Sequence, residues 1–400
     1  MSHWQRIEAP PRLPKSIEVP GSKSLSHRAI LLAKRCSVPP QLTGLLWSAD
    51  TEATHRGMDS LCQSTPIDCG NSGTSLRFLI GQAALLDQTT HFTGDASLAR
   101  RDCQPLLTSL ANAGVDVKSR SGRLPISIKG PLRAGEILVD PTLSSQFLSS
   151  LILALPFADG NSEVRLIRPP PSKAYVDLTV QTATAFGLRV DERSSGFFIQ
   201  GHQSAENSSF SVEGDWSSAG LAAACALAAK QELRLTNLRN DSIQGDRRLI
   251  QIMEAFGVHC TWNDGVLLVR PTALRAAPVI DLRAQPDLLP PIAVLASLSP
   301  GTTRIQCSPG IHHKESDRID VMKKALNTCG LQAKSQGHDL IVEGGRARFA
   351  RVECAGDHRI HMALCALAAT LPEGLILDSA DSVDVSWPGF HQALGFQLSQ

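Results

Sequence analysis

Lysines and arginines stand in or beside small, hydroxyl-rich turns along the whole chain. They are Lys23 and Arg28 in GSKSLSHRAI, Arg77 in GNSGTSLRF, Arg101 after FTGD, Lys173 in PSKAY, Lys314 and Arg318 in HKESDR, and Arg359 in GDHR. Two unit charges about 4 Å apart repel by ~4 kcal/mol at an effective dielectric of roughly 20, so cations brought together need an anion to join them. If these turns converge in the fold, they form a site for ligands bearing phosphate or carboxylate. Taken singly, each is an ordinary solvated side chain, and spacing alone does not decide between the two.

The elements that must carry them repeat. Small polar clusters beginning near Ser22, Asn71, Ser144, Ser217, Pro286 and Asp357 each lead into a run rich in Ala, Leu and Ile, from GSKSLSHRAILLAKRC to GDHRIHMALCALAA. After a shorter first step the starts recur at intervals of roughly 70 residues, longer than the repeats of common solenoids, which predicts a closed set of similar units. Short alternating or β-branched runs bounded by Gly, Pro and Asp, such as LPISIKG, GVLLVRP and LIVEGG, predict strands between the helices. A second, more charged helix per unit is readable in PLLTSLANAGVDV, YVDLTVQTATAFGLRV, DRRLIQIMEAFGVHC and RIDVMKKALNTCGLQ. The apolar helices lack a polar face, so they are expected inside, with the strands around them. Their N-termini present unpaired N–H groups and the positive end of the helix dipole, which makes them potential anion seats. Ser, Asn and Asp at such places also serve simply as caps.

Composition bounds the rest. A chain of 400 residues with 42% apolar and 19% charged residues can bury two cores. Its formal net charge of +1 offers no overall field for a nucleic-acid backbone. The opening MSHWQRIEAPPRLPKSIEVPG has no apolar signal-peptide region, and no apolar run reaches the ~20 residues of a membrane span. A cytoplasmic protein is therefore expected. Ten cysteines are scattered with no CxxC spacing, which predicts buried reduced thiols.

The strings PGSKSLSHRAILLA and GNSGTSLRFL resemble the two signatures of the 5-enolpyruvylshikimate-3-phosphate synthase family. The likeness continues in order through FTGDASLARR, SSQFLSSLILALP, SKAYVDLT, VEGDWSSAG, QGDRRL, PDLLPPIAVLA, GTTRI, HKESDRI, GDHRIHMALCALAA and SWPGF. It spans about Ser16 to Phe390, and the joint match is far more specific than any single block. The resemblance implies an α/β fold, a two-domain inside-out α/β barrel with six repeated strand-helix units and buried helices. Residues 1–18 and 211–400 would form a first, discontinuous domain and residues 19–210 the second, with the active site in the cleft between them. The halves would draw together when shikimate 3-phosphate relieves cation repulsion.

The activity it implies is transfer of the enolpyruvyl group of phosphoenolpyruvate to the 5-hydroxyl of shikimate 3-phosphate by addition and elimination. No metal or organic cofactor is expected, and the partners would be these two small molecules, with no nucleic acid, no membrane and a monomeric chain. Lys23, Ser24, Arg28, Ser144, Ser145, Gln146, Ser172, Tyr175, Asp287 and Lys314 would bind shikimate 3-phosphate, with Lys173 adding charge nearby. Lys23, Asn71, Gly73, Thr74, Arg101, Gln146, Arg318 and Arg359 would bind phosphoenolpyruvate, the guanidinium forks suiting phosphate and carboxylate. Asp287 would take the proton of the 5-hydroxyl and Glu315 would protonate the methylene carbon, with Lys23 and Lys314 as competing donors. Glyphosate is expected to compete with phosphoenolpyruvate because Gly73 is present.

The chain departs from the family pattern in places. His27 replaces a common Asn, Asp102 replaces a usual Pro beside Arg101, Val385 replaces a frequent Lys, and His312 replaces a frequent Arg. Two other functions compete. The related enolpyruvyl transferase of cell-wall synthesis carries a Cys where this chain has Ala96 and lacks the KESDR block. A relic that binds shikimate phosphate without turnover is motivated by Val385 and Asp102. His358 and His361, three apart on a predicted helix, resemble metal ligands, but no carboxylate or Cys is seen to complete the set.

Overall fold

The computed structural model describes residues 4–61, 63 and 65–399. The chain divides into two compact units. One takes the segments up to Gly21 and from Glu213 onward; the other is Ser22–Val212.

Both units are built from one motif. A short strand leads into a buried helix, a parallel partner strand follows, then an outer helix, then a hairpin that pairs antiparallel onto the same sheet. In the Ser22–Val212 unit this order runs Ile67–Asp68, Gly73–Ala83, Thr90–Thr93, Gln104–Asn112, and the hairpin Asp116–Arg120 with Arg123–Lys129. It repeats as Glu136–Val139, Ser145–Ala154, Ser162–Leu166, Lys173–Ala185, and Val190–Arg193 with Gly196–Ile199. Among the described residues the third copy is reduced: Gln41–Thr43 pairs only with Ser209–Ser211, and the outer helix Ala49–Ser60 follows without a hairpin.

The other unit holds three four-stranded sheets of the same pattern. Ser16–Glu18 pairs with Leu233–Thr236, Val279–Asp281 with Thr302–Gln306, and Arg351–Val352 with Leu375–Leu377, each parallel. The chain passes between the units twice, each time between a strand and the helix that follows it. Ser16–Glu18 runs on into Lys23–Ala33 of the other unit, and Ser209–Ser211 runs on into Trp216–Ala228.

The core sits on the helices. Every residue of Trp216–Ala228 and of His358–Ala368 is buried. These two pack on each other and on Leu289–Leu298. The run WSSAGLAAACALA makes this possible, because small side chains let helix axes approach while Ala keeps helix propensity high. In the Ser22–Val212 unit, Gly73–Ala83 lies against Ser145–Ala154. A side chain at Gly81 would meet the Ser150 carbonyl oxygen at 2.9 Å, so glycine is required at that crossing. No helix among the described residues is long and apolar enough to cross a membrane. The nine described cysteines are free, and Cys62 lies outside the described residues.

Candidate functional site

Five of the six polar clusters found in the sequence supply the caps of buried helices, whereas Leu289–Leu298, after Pro286, has no side-chain cap. Ser22, Ser72 and Ser144 accept backbone N–H bonds at the starts of Lys23–Ala33, Gly73–Ala83 and Ser145–Ala154. Asp215 and Asp357 do the same for Trp216–Ala228 and His358–Ala368. Ser72 also accepts the Ser75 hydroxyl at 2.7 Å, whereas Ser144 is half-buried and its hydroxyl can still donate.

Within Ser22–Val212, Arg77 and Arg101 converge at the start of Gly73–Ala83. A methyl group placed on Gly73 would lie 3.0 Å from Nη1 of Arg101 and 3.2 Å from Nη1 of Arg77. Arg101 donates through Nη2 to Oδ1 of Asn71 at 2.5 Å, and Asn71 donates to Oδ2 of Asp95 at 2.6 Å. Arg77 donates to Oε1 of Gln146, whose Nε2 donates to Oγ1 of Thr74 at 2.8 Å. Asn71, Gly73, Thr74, Arg101 and Gln146 therefore form one patch.

Arg28 is buried to 2% exposure. Its guanidinium donates to three neutral oxygens: Oγ1 of Thr179 at 2.8 Å, the Ser24 carbonyl at 2.7 Å and the Tyr175 carbonyl at 3.0 Å. Burial pulls its pKa down to about 9. A cation held in this way gains from an arriving carboxylate. It also ties Ser24 and Tyr175 to one place, with Ser172 at the start of the Tyr175 helix.

Lys23 pairs with Oδ2 of Asp50 at 2.9 Å. Asp50 was not found by sequence reasoning, although Ser48 and Thr51 form a capping box around it and would have marked the helix. Lys173 was expected only to add charge near the 3-phosphate. It is half exposed and held by Asp177 at 2.5 Å and Glu192 at 3.2 Å, so its charge is already balanced. Asp102 accepts the Gln104 backbone N–H through Oδ1 at 2.6 Å.

The other unit gathers its groups around Arg318, whose side chain is 1% exposed. Nη1 meets Oδ1 of Asp287 at 2.6 Å, Nη2 meets Oε2 of Glu315 at 2.7 Å, and Nε meets Oδ2 of Asp357 at 2.9 Å. Asp287 in turn faces Nη2 of Arg359 at 3.2 Å and Nζ of Lys314 at 3.6 Å. Burial alone would raise the Asp287 carboxyl, but Arg359, Lys314 and Arg318 hold it well below the usual carboxylate range. Val385 is half-buried, and His312 is tied to Asp317 at 2.9 Å and His338 at 3.1 Å.

Asp246 belongs to this cluster and was missed; only its place in QGDRRL hinted at it. It is 4% exposed. Its Oδ2 accepts the Ser217 hydroxyl, and its Oδ1 has no hydrogen-bond partner among the described residues. Burial first, then the charge of Asp287, pushes its carboxyl up to about 7. From an ordinary value of 3.8 to a folded value of about 7, the native chain binds this proton more tightly than the unfolded one. The group's contribution to stability is therefore greatest below that window, falls as pH rises through it, and is flat above it. Melting curves of Asp246→Asn should show a shallower loss of stability than the parent between about pH 5 and about pH 8. Equal slopes would contradict this.

Two carboxylates with opposed environments, beside cations and hydroxyl-bearing helix starts, suit proton transfer on an anionic ligand. Residues 7–65 and 56–394 match the family model described as EPSP synthase (3-phosphoshikimate 1-carboxyvinyltransferase). The chain belongs to this family. A relative named 3-phosphoshikimate 1-carboxyvinyltransferase from Methanocorpusculum labreanum is 37% identical, over 94% of this chain and 94% of its own. One of the same name from Clostridium kluyveri is 32% identical, over 98% and 97%. A solved structure of EPSP synthase from Acinetobacter baumannii superposes with a TM-score of 0.79 at 23% identity, covering 100% of both chains. That likeness shows the two-unit α/β architecture of the family.

Proposed function

We propose that the chain transfers the enolpyruvyl group of phosphoenolpyruvate to the 5-hydroxyl of shikimate 3-phosphate. The activity is that of its family. The observation that carries the residue assignment is the Arg318 clamp, which holds Asp287, Glu315 and Asp357 with Lys314 and Arg359 beside Asp287.

Arg28 and Ser24 would hold the shikimate ring carboxylate, with Tyr175 lining the ring. Ser144, Ser145 and Ser172 would donate to the 3-phosphate. Arg101, Arg318 and Arg359 would take the phosphate and carboxylate of phosphoenolpyruvate, with Lys23 and Gln146 between the substrates. The hydroxyl oxygen then bonds to C2 of phosphoenolpyruvate as C3 gains a proton, giving a tetrahedral ketal phosphate. Cleavage of the C2–O bond to phosphate and loss of a proton from C3 restore the double bond. Prepositioned cations stabilise the charge that shifts onto the departing phosphate.

Asp287 is a weak base while three cations face it. Phosphoenolpyruvate, by sharing Arg359, Arg318 and Lys314, would return basicity to Asp287 when the hydroxyl is in place. Glu315 is bonded to Arg318 and must be released from it to deliver a proton, whereas Lys314 already reaches the reacting carboxylate. The buried free thiols fit a reducing compartment, which supports the cytoplasm as the place of action.

Phosphate release measured with 3-phosphoshikimate and phosphoenolpyruvate tests the function. Turnover with UDP-N-acetylglucosamine instead, or ligand binding without turnover, would overturn it. Gly73→Ala tests the patch around Arg101. The added methyl pushes on both guanidinium tips, so KM for phosphoenolpyruvate should rise about tenfold, or ~1.4 kcal/mol, with kcat changed less. Inhibition by glyphosate should weaken in the same variant.

A further inference from the structure

The core of the discontinuous unit holds a cluster that the reaction does not use. His361 and Cys365 lie one turn apart on the buried helix His358–Ala368, so their side chains leave the same face. His391, on the short helix Phe390–Leu394, brings Nε2 to 3.0 Å from Nε2 of His361. The ligand atoms of His361, Cys365 and His391 all lie within 4.8 Å of one another. His361 and Cys365 are fully buried, and His391 is 5% exposed. The sequence showed no Cys completing a set with His361; folding supplies Cys365 and His391 together.

The ring orientation is set from outside the cluster. Nδ1 of His361 lies 2.8 Å from the Asp378 carbonyl oxygen, which can only accept. The proton is therefore on Nδ1, and Nε2 directs a lone pair toward His391. Ligating imidazoles are commonly oriented by such a carbonyl. Neutral imidazole is the form that binds metals.

We propose that His361, Cys365 and His391 form a buried binding site for a soft d10 metal cation, copper(I) in preference to zinc. One sulfur and two imidazole nitrogens exclude calcium and magnesium, which take oxygen ligands. The charge decides between the remaining two. Binding expels the Cys365 thiol proton to solvent and moves the Nε2 proton of His391 to its Nδ1. Copper(I) with one thiolate leaves a neutral site, whereas zinc leaves one net positive charge in an apolar core. Three ligands also complete a trigonal copper(I) shell, while zinc seeks a fourth. The site would tie the C-terminal helix to the core and is not part of the transfer reaction.

The test is anaerobic titration of the purified, metal-stripped full chain with copper(I) against a chromophoric copper(I) chelator, and in parallel with zinc chloride. One copper(I) per chain and a raised melting temperature are expected. Cys365→Ala and His391→Phe should each weaken copper(I) by more than about 100-fold, beyond the effect of losing an outer-shell partner. Far-UV circular dichroism and turnover with the two substrates check that each variant is folded. No stoichiometric copper(I), or equal affinity in Cys365→Ala, would overturn the site. Zinc bound without copper(I) would overturn the charge assignment.

Discussion

Arg318→Gln is expected to lower kcat/KM by roughly a thousandfold or more and to destabilise the chain by about 3–5 kcal/mol. The reason is local crowding of charge. Burial would lower the Arg318 pKa, but Asp357, Glu315 and Asp287 raise it well above its ordinary value. Removing that cation leaves three carboxylates near one another with one fork fewer to share. Asp357 also caps His358–Ala368, accepting the Arg359 N–H at 3.0 Å, so its displacement would disturb the helix that carries Arg359. Arg318→Lys should rescue little, because an ammonium cannot hold three carboxylates in a fixed plane. Urea denaturation and steady-state kinetics on both variants check this. A glutamine variant within 1 kcal/mol and tenfold of the parent, about the effect of an exposed ion pair, would contradict it.

Asp287→Asn should reduce kcat by about 10²–10⁴-fold, the usual contribution of a positioned general base. KM for phosphoenolpyruvate should stay level or fall, since Arg359, Lys314 and Arg318 lose a competing anion. The parent's pH dependence carries a second signature. Free enzyme has Asp287 well below the usual carboxylate range, so the acid limb of kcat/KM should not report it. Once the ligand shares its cations, the Asp287 pKa rises, and the acid limb of kcat should lie at higher pH than that of kcat/KM. Identical limbs, or near-normal turnover in the asparagine variant with binding intact, would remove Asp287 from the base role.

The helices and their polar starts were legible because the signals are short-range. A cap and the N–H it receives are two or three residues apart, as with Ser72 and Ser75 or Asp215 and Ser218, and burial on all sides is written in runs such as LAAACALAA. Glycine at position 73 was legible as a place of close approach. The outer helix Ala49–Ser60 was not, since ADTEATHRGMDS lacks the apolar stripe that betrays the others.

Sequence alone therefore determined which residue types wait at the starts of the buried helices, because capping and helical burial depend on neighbours within one turn. Tertiary structure decided which of them meet. Asp287 reaches Arg318 across 31 positions, Asp357 across 39, Lys23 finds Asp50 across 27, and His391 finds His361 across 30. Those pairings, and the direction in which Asp287 and Asp246 are shifted, depend on helix packing and on removal of water, neither of which is encoded in local spacing.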